Sequence, residues 1–160
     1  MTAIEQKTID LLNQNWVLLL SSLETLNLSV IKAKSIGEKA DYSFEELETF
    51  DSLIAKFSRT SDIFTQKVIR TVWILLHEET MPFIDLLNMA EKIGLVSSAD
   101  KLLEIRDLRN QIAHEYIPEA IRKLIPDVIE LFAELRHNVQ IAGNFLLNRK
   151  WLDKEVTSGK

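Results

Sequence analysis

Apolar residues recurring at alternating steps of three and four run through three long stretches of this chain, and nothing in it constrains the fold more. In the first stretch they are Ile9, Leu12, Trp16, Leu19, Leu23, Leu26 and Val30. That spacing stacks side chains along one side of an α-helix and would scatter them over both faces of a strand. The second stretch repeats it with Leu47, Phe50, Ile54, Phe57, Ser61, Phe64 and Val68, continuing through Trp73 and Leu76, and the third with Val128, Phe132, Leu135, Val139, Ala142 and Leu146. Only four Gly and three Pro punctuate 160 residues, so helices of about thirty residues, roughly 45 Å long, are possible. The expected fold is all-α: an antiparallel helical bundle with three long helices and shorter motif-bearing helices. One domain over residues 1–152 with a polar tail at 153–160 suits a chain of this length.

Local signals set the ends. The first helix is expected from about Ala3 to the neighbourhood of Ile36, with Gly37 to Tyr42 as the turn. Ser43 followed three residues later by Glu46 is a capping box that opens the second helix. Pro82 suits the first position of a short helix that Gly94 ends. Ser97 with Asp100 offers a cap for a helix from roughly Ser98 to Glu115, bounded by Pro118. A short helical piece from Pro118 to Leu124 follows, and Pro126 opens the last long helix, which reaches about Lys150. Leu11, Val17, Leu18 and Leu20 lie off the first seam, which predicts a second burial surface, within the fold or across a dimer.

Composition excludes several chemistries. With no cysteine, structural disulfides, thiolate metal sites and thiol nucleophiles are ruled out, and a reducing compartment fits. No unbroken apolar run is longer than Trp16 to Leu20, far short of the roughly 20 residues of a membrane helix. The N-terminus lacks a basic region followed by an apolar block. A cytoplasmic protein without a membrane partner is the expectation. A net charge of −5 argues against a general nucleic-acid coat protein, although residues 101–160 hold 10 Lys/Arg against 9 Asp/Glu, compared with 9 against 15 in residues 1–100.

Chemistry concentrates in one octet, RNQIAHEY, from Arg109 to Tyr116. On a helix, Arg106, Asn110 and His114 climb one stripe at i, i+4 and i+8, and Arg109 lies about 140° from His114. If the helix runs through Tyr116, Arg109 and Tyr116 point towards the apolar arc of Ile105, Leu108 and Ile112. A guanidinium there needs an acceptor or an anion, so that side is expected to face a groove holding phosphate or a partner chain. Imidazole, with an ordinary pKa of about 6.5, suits proton transfer near neutrality. Arginine's planar fork suits phosphate. RNA carries its own nucleophile, the 2′-hydroxyl, so cleavage needs proton transfers and charge stabilisation but no serine, cysteine or metal. One motif supplies one histidine for two proton transfers; a two-fold dimer supplies both. Asn110 is placed to hydrogen-bond the imidazole or the phosphate, and Asp107 reads as an ion-pair partner for a neighbouring arginine. His77 reads as a cation at a helix end and His137 as exposed; the HEET segment at His77 lacks the paired histidines of a zinc helix.

The order Arg109, Asn110, His114, Tyr116 resembles the motif of the HEPN domains, specifically the HepT branch, and the general plan of the first 150 or so residues is similar too. The resemblance implies a small all-α toxin of a type VII toxin-antitoxin system. Its activity would be that of a metal-independent endoribonuclease cleaving RNA, such as tRNA or mRNA, at a composite site in a homodimer or higher homo-oligomer. No cofactor, metal site or DNA substrate is implied. His114 would be the general acid/base, Arg109 the phosphate clamp, Asn110 an orienting residue and Arg106 a further candidate RNA contact. The implied partner is an MntA-type nucleotidyltransferase antitoxin that attaches AMP to Tyr116. Two other readings stay open: a non-catalytic helical substrate-binding partner of a nucleotidyltransferase, which needs the long helices but not His114, and a scaffold held by helix packing alone.

Overall fold

The first two helices begin at side chains that lie close in sequence. In the computed structural model, which describes residues 2–153, α1 (Ala3–Ile36) begins at a capping box in which Thr2 and Glu5 bond each other's backbone N–H. The Thr2 backbone N–H, helped by His77, holds the Glu5 carboxyl below its ordinary pKa. The same device at Ser43 and Glu46 opens α2 (Phe44–Asp62), as the sequence predicts. α2 continues without a break into a π-helical segment (Ile63–Ile69) and α3 (Arg70–Leu75). Then come α4 (Phe83–Lys92), α5 (Ala99–His114), α6 (Pro118–Arg122) and α7 (Ile125–Asn148), and no strand forms among the described residues. The fold is all-α. Of the polar tail expected at 153–160, only Asp153 falls among the described residues.

α1 and α2 share the largest interface, and their bonds run in opposite order along the two helices. Ser22 meets Thr60 at 2.6 Å and Ser29 meets Lys56 at 2.9 Å, so the pair is antiparallel. α7 also opposes α1, since Asn13 bonds the Trp151 carbonyl while Gly143 touches Trp16. α2 packs on α1, α5 and α7 together. This explains why its buried set is wider than the seam read from the sequence: Thr49, Leu53 and Thr60 are buried as well. Of the residues off the first seam, Leu20 is half-buried against the core, but Leu11, Val17 and Leu18 remain exposed.

The π segment is the main departure from regular helix. Thr65 donates to the Ser61 carbonyl at 2.9 Å and Thr71 to the Lys67 carbonyl at 2.6 Å. Such hydroxyls bonding back one turn loosen and bend a helix, and π turns are a recognised cause of bends. Ile63, Phe64 and Thr65 are buried in succession, so the segment is enclosed over more than one helical face.

Two close fits are specific. Gly94, at φ +84°, lets the Gly94 N–H bond the Glu91 carbonyl and the Leu95 N–H bond the Ala90 carbonyl, a Schellman ending for α4. Pro82 sits just before the first turn of α4 rather than within it. At the α1/α7 crossing, a Cβ on Gly143 would lie 3.0 Å from Trp16 Cζ2, and Trp16 is buried. Gly143→Ala is therefore expected to lower stability by about 1–3 kcal/mol through overpacking, measured by chemical denaturation; an unchanged midpoint would mean that the indole shifts freely.

Among the described residues one helix, α1, is long and apolar enough by length and composition to cross a membrane, and 39 % of its most apolar window is buried within the fold. Its buried residues, Ile9, Leu12, Trp16, Leu19, Leu26 and Val30, belong to the shared core.

Candidate functional site

The motif helix is anchored at its start by three side chains. Ser98 caps α5 by accepting from the Lys101 N–H at 3.1 Å, in place of the expected Ser97. The buried Asn138 accepts from both the Ser97 and Ser98 N–H groups, at 2.8 and 3.2 Å. Glu91 accepts from the Ala99 N–H at 2.9 Å. The free N–H groups of a helix start are thus tied to α4 and α7, and Leu102, Ile105 and Leu108 seat the helix on the core.

Arg109 finds its acceptor in Asp62, the last residue of α2. Nε donates to Oδ1 at 2.9 Å and Nη2 to Oδ2 at 2.8 Å, a fork-to-fork pair. Asp62 raises the guanidinium pKa further above its ordinary value. This pair leaves Nη1 available to another acceptor, beside a groove of about 580 Å³ lined by Arg59, Asp62, Gln66, Lys67, Arg106, Arg109 and Asn110, with Ile63 and Thr65 of the π segment in its wall. Four cations face one carboxylate there. The other side of α5 has the opposite character, with Glu104, Asp107, Asp127 and Glu130 around Lys101.

His114 and Tyr116 do not join that groove lining. α5 ends at His114, because Pro118 holds Ile117 in extended backbone. Glu115, also extended, accepts from the Tyr116 and Ile117 N–H groups at 3.2 and 3.1 Å. The helix therefore does not carry Tyr116 onto the side of Arg109, as a continuous wheel predicts; the ring is 86 % exposed. His114 and Asn110 are exposed as well, and among the described residues no hydrogen bond joins them. Asp107 forms no ion pair among the described residues; Asp62, distant in sequence, takes the arginine instead. His137 is exposed as expected, and His77 follows the C-cap of α3 at φ +59° with Nε2 3.1 Å from Glu5.

No protein-family model matches the chain, and no curated protein is similar enough to it to show kinship. The chemistry of the site is read from its own residues.

Asp62, Arg59, Lys67 and Asn138 escape the sequence reading. Asp62 adjoins the seam residue Ser61 and carries no motif. The one usable signal is the cluster of Thr60, Ser61 and Thr65, since hydroxyls in mid-helix mark irregular turns. The Arg109 and Asp62 side chains are 33 % and 40 % exposed, so solvent screens their attraction. Asp62→Ala is expected to cost no more than about 1 kcal/mol, and a much larger drop in thermal midpoint would show that the pair acts as a buried one.

Proposed function

We propose that this chain is a HEPN-type endoribonuclease of the HepT kind, cleaving RNA without a metal and working as a homodimer in the cytoplasm. The observation that carries the reading is an arginine fork fixed by Asp62 beside a groove rich in cations, on the same helix whose exposed end bears His114. In the proposed reaction one His114 removes the proton from a ribose 2′-hydroxyl, whose oxygen attacks the adjacent phosphorus. Arg109 stabilises the charge that builds on the phosphate oxygens. The second His114 gives a proton to the departing 5′ oxygen. The products are a 2′,3′-cyclic phosphate and a 5′-hydroxyl.

The exposure of Tyr116 suits it to be the acceptor for a nucleotidyltransferase antitoxin. Its hydroxyl oxygen would attack the α-phosphate of ATP, releasing pyrophosphate. The attached AMP would add negative charge and bulk near the motif and repel RNA.

Cleavage of RNA by the purified chain in excess chelator, leaving cyclic phosphate ends, is the expected result. Loss of cleavage on adding chelator would count against the reading. The alternative, a non-catalytic substrate-binding partner of a nucleotidyltransferase, draws on the absence of His114 from the groove lining. Expression without the antitoxin separates the two: growth arrest supports the nuclease, and harmless expression the binding partner.

A further inference from the structure

Arg106 is placed in a way that packing alone does not explain. Its guanidinium lies over the Phe83 ring, with Cζ 4.1 Å from the centroid, and Arg70 approaches the same ring at 5.8 Å. One amino group, Nη1, is buried and bonds no acceptor among the described residues. Phe83 opens α4, so the contact holds the guanidinium still at the edge of the groove. Among the described residues no carboxylate pairs with Arg106, Arg59 or Lys67. A half-buried cation without counter-charge is costly, and costs of that kind are kept where another role uses the charge.

The groove's size lies within the roughly 300–1,000 Å³ typical of ligand sites. Arg59 and Lys67 approach it from the α2 and π-segment side, Arg106 from α5. None of its lining residues is aromatic, and the ring nearest to Arg106 already carries guanidinium groups. It therefore offers charge and planar forks but no stacking platform for bases. Contacts of that type position a nucleic-acid strand without reading its sequence.

We propose that the groove between the π segment and α5 is a track for the phosphate backbone of single-stranded RNA, adjoining Arg109, with Arg59 and Lys67 on one wall and Arg106 on the other, and that it reads no base. The choice of RNA rests on the nuclease reading; the anionic character of the ligand rests on the groove itself.

The test uses the full-length chain carrying His114→Ala, so that RNA is bound and not cut. Binding of fluorescent oligouridylate and oligoadenylate is followed by anisotropy across a salt series. Joint replacement of Arg59→Gln and Lys67→Gln, both at exposed positions, is expected to weaken binding about tenfold at low salt and to flatten the log–log salt slope by about 0.7 per lost contact. Arg106→Gln is expected to act in the same direction, with circular dichroism checking that the fold survives removal of its stacking on Phe83. The two oligonucleotides are expected to bind alike. Unchanged affinity and slope in the double variant would overturn the proposal, as would strong preference for one base. Tighter binding of polyglutamate than of RNA, lost in the same variants, would assign the groove to an acidic protein and overturn the RNA assignment. Cleavage by the chain with His114 intact is scored separately. If that chain cleaves while the groove variants bind normally, this proposal alone fails; if the groove variants lose binding but the chain never cleaves, the nuclease reading alone fails.

Discussion

His114→Ala is expected to remove RNA cleavage almost completely, by a factor of about 10²–10⁴, while leaving the unfolding midpoint nearly unchanged. The two halves of that result have separate causes. His114 is the last residue of α5 and is exposed, so truncating it opens no cavity. At most it gives up the favourable interaction of a cation with the helix C-terminus, about 0.3–1 kcal/mol. The proposed reaction, by contrast, would lose its proton carrier at both steps. Subunit mixing sharpens the test. If two imidazoles share one phosphate, adding the variant to the unsubstituted chain at constant total concentration makes activity fall as the square of the unsubstituted share, once subunits exchange. A linear fall would mean that each protomer cuts alone, and full activity of the variant would remove His114 from the mechanism.

Phe64→Ala is expected to cost about 3–5 kcal/mol, a large part of the roughly 5–15 kcal/mol that holds a typical domain together. Phe64 is fully buried in the π segment, which packs across α1, so removing the ring leaves a cavity that the surrounding side chains close only in part. Each kcal/mol lowers the melting temperature of a chain of this size by about 2–4 °C. The expected shift is therefore of the order of 10 °C in a thermal scan. Phe44→Ala is the matched control. That ring is 70 % exposed at the start of α2, and its loss should fall within about 0.5 kcal/mol. Equal shifts for the two variants would contradict the packing described for the π segment.

The capping boxes show how far local reading reaches. Ser43 with Glu46 is legible because both partners lie within one turn, and Thr2 with Glu5 carries the same legible pattern. The buried seams are legible for a similar reason: a step of three or four is a property of the helix itself. Reading stops where a second helix enters. Ser97 with Asp100 reads as the cap of α5, but Ser98 takes that place, at a turn where Asn138, about forty residues away, holds the backbone N–H of both serines. Asp107 looks like the arginine's partner until the crossing of two helices supplies Asp62 at a separation of 47 residues.

The α-helical class, the helix ends, most of the core and the motif at Arg109 to Tyr116 come from the sequence alone, because each depends on side chains within a few residues of one another. The tertiary structure alone decides which carboxylate holds Arg109 and that a π turn walls a cationic groove. Those outcomes depend on how separate helices cross, and no repeat along the chain encodes a crossing.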